Sequence, residues 1–214
     1  FRGCTTLVTM QPNDWDVSSV TNFSQMFRGC KIFNSYIGDW DMSNATSLNN
    51  MFFNAELFNQ NISGWDVSSV YNFGGVFRDA EAFNQPIGSW NTSSATHMKQ
   101  AFQRTTDFQQ DLSNWDISSL NSTDDLNDFM KNKTDANSYG TALYDALLIS
   151  WAGQTVLSGL SPNFGDAQLD ELGDIVSLLG GNVFSDENNS DISKVTLEDL
   201  GLSLIHISEP TRPY

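Results

Sequence analysis

A tryptophan recurs every 25 residues, at Trp15, Trp40, Trp65, Trp90 and Trp115, with no break in register. Two phenylalanine columns keep the same step, Phe27, Phe52, Phe77, Phe102 and Phe33, Phe58, Phe83, Phe108. The opening "FRGC" echoes Phe27 to Cys30 with one residue of slippage. A fixed period of about 20–50 residues is the mark of a solenoid, in which each repeat touches only its neighbours. One such repeat exposes too much apolar surface to fold alone, so stacking has to complete its core.

Each copy carries two shorter patterns. In "WDVSSV", Trp65 and Val67 alternate with Asp66, which predicts a short strand with the acid facing solvent. Val70, Phe73, Val76, Phe77, Ala80 and Phe83 then step by 3, 3, 1, 3 and 3, predicting the apolar face of a short helix with Ser68 or Ser69 as its N-cap. "FNQPIG" returns the chain. Strands stack about 4.8 Å apart and helices about 8–10 Å. That mismatch predicts a bent array whose strands line a concave side.

The pattern decays after the fourth copy. Asn127 stands where a phenylalanine belongs and Phe129 is displaced. The expected organisation is an array over 1–130 and a capping module over 131–184. An acidic linker, or the start of a further domain, is expected over 185–201. Leu143, Leu147 and Trp151 predict a helix in the cap, and Leu169, Leu172, Ile175, Val176 and Leu179 a second. "LSLIHISEPTRPY", 202–214, resembles the in-frame translation of a sequencing adapter and is set aside as foreign. Opening at Phe1 inside a repeat, the chain reads as a piece of a longer protein.

The repeat "FNQxIxxWDVSSVxNF" resembles that of the BspA-like bacterial surface proteins, a leucine-rich-repeat variant. The likeness covers Phe1 to about Met130 and continues into "YGTALYDALLISWAGQ". It implies an α/β fold, a leucine-rich-repeat-like solenoid of strand-turn-helix repeats with a helical C-terminal cap. It further implies a secreted or surface-displayed adhesion protein with no catalytic residues, acting as one part of a multidomain chain. The alternative is a spacer that displays another domain.

Charge and motifs narrow the function. With 26 acidic against 10 basic residues the net charge is −16, which argues against nucleic acid or an anionic membrane as partner. The same charge also simply keeps a protein soluble. No phosphate loop, HExxH, CxxC or nucleophile elbow is present, so no enzyme, cofactor or small-molecule substrate is expected. The expected partner is an extracellular matrix-type protein or a surface polysaccharide, bound by a monomeric chain outside the cell.

The candidate ligand-binding column is Asp16, Asp41, Asp66, Asn91 and Asp116, one residue after each tryptophan. Two readings stand. Divalent cations neutralise the column, or each carboxylate accepts hydrogen bonds from the serines that follow it. Asn91 suits the second better. The tryptophans read as core, not as sugar-stacking platforms. "DENNSDISKVTLE" lacks the glycine and the final acid of a calcium loop. His97 has no partner motif. Cys4 and Cys30 occupy equivalent places in adjacent repeats; helical spacing would keep them apart, and a tighter turn would let them bridge.

Overall fold

The computed structural model describes residues 2–4, 12–132, 139–156 and 160. Among them are one 3-10 turn, Pro12–Asp14, and one α-helix, Thr141–Ala152, here α1. No β-strand occurs among the described residues. Parallel pairing is limited to single bridges joining Asn22 to Ser47, Ser47 to Asn72 and Asn72 to His97. The expected leucine-rich-repeat-like solenoid of strand-turn-helix repeats therefore does not form. Each repeat is a coil of turns laid against the next.

Backbone hydrogen bonding explains the difference. An α-helix commits each N–H to the carbonyl four residues back. Over Phe23–Cys30 the N–H groups divide their work instead. Those of Phe23, Gln25, Phe27 and Gly29 donate to Ser47, Asn49, Met51 and Phe53 of the next coil, at 2.7–2.9 Å. Those of Met26, Arg28 and Cys30 close three-residue turns on Phe23, Gln25 and Phe27, at 3.0–3.2 Å. Gln25 (φ 62°) and Gly29 (φ 74°) sit third in their turns, the left-handed place of a type II turn. The same two places recur at Asn50, Gly75 and Gln100 and at Asn54, Asp79 and Arg104, all with positive φ. A step of three suits a helix face and a run of turns alike, so apolar spacing alone predicted the wrong one.

The expected strand fails for a related reason. A turn closes on the near side of Trp65, whose N–H donates to Ile62 O, and another joins Val70 N–H to Val67 O. The extended stretch between them is too short to pair. Its facing is nonetheless alternating: Trp65 and Val67 are buried and Asp66 is exposed.

The core runs through the stack as three ring ladders. Trp15, Trp40, Trp65, Trp90 and Trp115 stack at 6.1–6.3 Å between centroids. Phe27, Phe52, Phe77 and Phe102 follow at 5.5–5.8 Å, and Phe33, Phe58, Phe83 and Phe108 at 5.8–6.1 Å. Within a coil the two phenylalanines stack closer, 3.8 Å for Phe77 on Phe83. The coil-to-coil pairs lie in the range of offset stacking, which adds about 0.5–1.5 kcal/mol per pair beyond burial. Since no helix packs against a strand in these repeats, the spacing mismatch that predicted curvature is absent.

The fifth coil is longer. Gln100 and Arg104 are followed by left-handed Asp128 and Asn132, each 28 residues on, three more than the period. Met130 thereby takes the backbone place of a core phenylalanine. Phe129 turns edge-on to Phe102 at 5.3 Å and to Trp151 at 5.4 Å. The displaced register read from Asn127 and Phe129 is this insertion.

The helix α1, rich in Ala and Leu, closes the stack. Trp151 Nε1 donates to Trp115 O at 3.1 Å. Gln154 donates to Trp115 O and accepts from Ile117 N–H, at 2.9 and 2.7 Å, doing for this edge what a further coil's peptide would do. Tyr139 extends the second phenylalanine ladder, 6.4 Å from Phe108. The Leu143, Leu147, Trp151 stripe lies on α1, with Leu147 and Trp151 buried. The second expected helix, the acidic linker, the calcium-loop segment and the tail lie outside the described residues.

Candidate binding surfaces

The structure brings the five predicted column residues together, one per coil. Asp16, Asp41, Asp66 and Asn91 are exposed and Asp116 is half-buried. Each is engaged by its own coil. Asp16 Oδ1 accepts from the Ser18 N–H (3.1 Å) and hydroxyl (2.6 Å), and Asp41 Oδ1 from those of Ser43 at 3.0 and 2.7 Å. Asp66 accepts the Ser68 N–H at 3.0 Å, Asn91 both groups of Ser93, and Asp116 both groups of Ser118. The Ser18, Ser43 and Ser68 bonds hold Asp16, Asp41 and Asp66 below the ordinary carboxylate range, while Asp16 pushes against Asp41 and Asp41 against Asp66. This is the turn-capping arrangement, and Asn91 fits it because its Oδ1 accepts the same bonds. The serine expected to cap a helix is the donor, not the acceptor. No His, Cys, Asp and Glu group suited to a metal ion occurs among the described residues.

The strip lies on no strand-lined concave face, because the described residues contain no strand to line one. Adhesion through such a face is accordingly not supported. The tryptophans are core: Trp40, Trp65, Trp90 and Trp115 are buried, and their indole N–H groups donate to Pro12, Ile37, Ile62 and Ile87 carbonyls at 2.7–3.2 Å. No disulfide joins Cys4 and Cys30. His97 is half exposed, its Nδ1 2.8 Å from the Thr96 hydroxyl and its Nε2 3.8 Å from Asp125.

Two further columns escaped the sequence reading. The asparagine of "FNQ" builds a ladder. The N–H of Asn59 donates to Asn34 Oδ1, that of Asn84 to Asn59 Oδ1, and that of Gln109 to Asn84 Oδ1, at 2.9–3.0 Å. Gln60, Gln85 and Gln110 add a side-chain N–H to the same oxygens at 2.7–2.9 Å. Repetition of Asn at one place was the available signal. The second is a ring between two cations. Arg28 and Arg78, from the coils on either side, lie 4.8 and 5.0 Å from the Phe53 centroid. Arg28 and Arg78 share a repeat position, which the aromatic columns overshadowed.

Together these features define a repeat protein of stacked turn-built coils with charge and amide columns on its surface. The profile of the family described as "Mycoplasma protein of unknown function, DUF285" matches residues 1–115 and 35–139, and the chain belongs to this family. The resemblance to BspA-like leucine-rich-repeat proteins is thereby corrected: a different family matches, and the described repeats contain no strand. No curated protein and no solved structure matches the chain.

Proposed function

We propose that the chain is a non-catalytic binding module, displayed outside the cell, that holds an extended surface polysaccharide along its columns of equivalent side chains. The supporting observation is the coil-to-coil backbone register, Phe52 N–H to Val76 O and Phe77 N–H to Ala101 O at 2.9 Å. It presents the same surface position once per coil at a fixed interval. Several weak, identical contacts then add along one polymer, and linked contacts raise avidity without a deep pocket. A repeating polymer exploits this arrangement and a small metabolite does not.

The test is calorimetric titration of the intact chain with oligosaccharides of increasing length from one polysaccharide. Affinity should climb with length until the ligand spans the coils. Equal affinity for a disaccharide and a long oligomer would overturn the reading. Binding to a matrix-type protein with no polysaccharide binding would replace it.

A further inference from the structure

The basic residues of this acidic chain are not scattered. In each coil one residue directly precedes the second left-handed position, which is held by Gly3, Gly29, Asn54, Asp79, Arg104 and Asn132. Those preceding residues are Arg2, Arg28, Phe53, Arg78, Gln103 and Lys131. The column holds four cations, one ring, one amide and no acid. Arg104 stands beside it and Lys31 three residues on, so Lys99 alone among the described cations lies elsewhere.

Several of these charges have acidic neighbours. Asp79 holds Arg104 and lies 3.5 Å from Arg78 Nε, Asp128 lies 3.2 Å from Lys131, and Glu56 2.5 Å from Lys31. The outer guanidinium nitrogens are directed otherwise. Nη1 of Arg28 bonds Gln25 Oε1 at 3.4 Å and Nη1 of Arg78 bonds Gln100 Oε1 at 2.9 Å. Among the described residues, no carboxylate lies within ion-pair distance of Arg28. Phe53 fixes both guanidinium groups by cation–π contact. The acidic column is half a coil away, since Asp41 follows Arg28 by 13 residues in a period of 25.

We infer that this stripe is the polysaccharide-binding face and that its ligand is anionic, carrying carboxylate or sulfate groups; the inference rests on the reading above. Arg28 and Arg78 are two coils apart, roughly 10 Å at the usual spacing of hydrogen-bonded chains. That is about the advance of one disaccharide along an extended polysaccharide, so a charge on every second sugar meets a guanidinium on every second coil. The Phe53 ring, covered by a guanidinium on either side, holds the two cations at that spacing. Duplex DNA carries a charge about every 1.7 Å, far denser than the stripe, and the net charge of −16 repels it.

The experiment titrates the intact chain with hyaluronate, chondroitin sulfate, uncharged dextran and a DNA duplex. Binding to one or both acidic polysaccharides, weakened by added salt, is expected. R28Q/R78Q should cost about tenfold in that affinity. N61D/S69D makes the same change in net charge on exposed residues outside the columns and should cost less than about twofold. R28K/R78K, which keeps charge but loses the planar stack, should fall between them. Thermal melts confirm that each variant is folded, and the salt titration of the unsubstituted chain needs no variant. Dextran bound as tightly as hyaluronate, or R28Q/R78Q matching the parent, overturns the stripe while the polymer reading stands. Preference for DNA overturns the ligand class. Binding to no polysaccharide overturns both.

Discussion

The indole N–H of Trp65 donates to the carbonyl of Ile37, 3.1 Å away and 28 residues earlier. Trp40, Trp90 and Trp115 make the equivalent bond over the same separation. Each of these tryptophans is thus both a rung of the core ladder and a donor to a carbonyl of the previous coil; at Ile37, Ile62 and Ile87 that carbonyl also accepts a backbone N–H. Trp65→Phe keeps most of the ring and removes the donor. We expect it to lower unfolding free energy by about 1–2 kcal/mol, the net worth of one hydrogen bond plus lost area, since the Ile37 carbonyl keeps its bond from the Trp40 N–H. Urea melts of parent and variant check this; an unchanged midpoint would mean the bond contributes nothing.

Phe77 touches four rings: Phe83 at 3.8 Å, Phe52 at 5.7 Å, Phe102 at 5.5 Å and Trp90 at 6.2 Å. Three coils close around it. Phe77→Ala should therefore destabilise the whole stack by about 3–5 kcal/mol. A loss under about 1 kcal/mol would remove the ladders from the account of the core.

Gly29 tests the turn geometry. Its φ of 74° is left-handed, and a Cβ added there would meet Gly3 Cα at 3.5 Å, an ordinary contact. The cost of Gly29→Ala is then conformational, about 1–2 kcal/mol. Gly29→Asn should cost less, because Asn54 holds the equivalent place at φ 58°. Equal effects of the two substitutions, measured by chemical denaturation, would contradict the assignment.

These positions also show what could be read from the sequence. Burial, facing and the 25-residue register follow from the aromatic columns, because a ring stacked on its copy has to repeat at the period of the coil. Bond type does not follow. Val70, Phe73, Val76 and Phe77 face inward whether the chain between them is helix or turns. The deciding signal lay at the unobtrusive columns, Gln25, Asn50, Gly75 and Gly29, Asn54, Asp79, where turn-forming residues interrupt the supposed helix. Of the candidate site, the shared column and the capping of Asp16 by Ser18 were legible. The Arg28, Phe53, Arg78 contact was not, since two like charges 50 residues apart carry no periodic signature beside five tryptophans.

Acid dependence separates the aspartates from their neutral equivalent. Asp16, Asp41 and Asp66 are held below the ordinary value of 3.8 by their serine bonds. A depressed folded-state pKa contributes stability above the unfolded value, lost as pH falls through the folded one. Stability should therefore drop below pH 3.8, and D16N/D41N/D66N should reduce that drop while keeping the capped turns, as Asn91 does. Urea midpoints across this range give the comparison; parallel acid profiles for parent and triple variant would contradict it.

The central claim is that alternate backbone N–H groups through the middle of each supposed helix, such as those of Phe73, Gly75, Phe77 and Asp79, reach the next coil. Scalar couplings across hydrogen bonds, measured by NMR on isotope-labelled protein, report each donor and acceptor directly. The account requires the Phe52 nitrogen to couple to the Val76 carbonyl and the Phe77 nitrogen to that of Ala101, with Val76 nitrogen coupling to Phe73. Coupling of Phe77 nitrogen to the carbonyl of Phe73, four residues back, would restore the helix and contradict the stacked-turn fold.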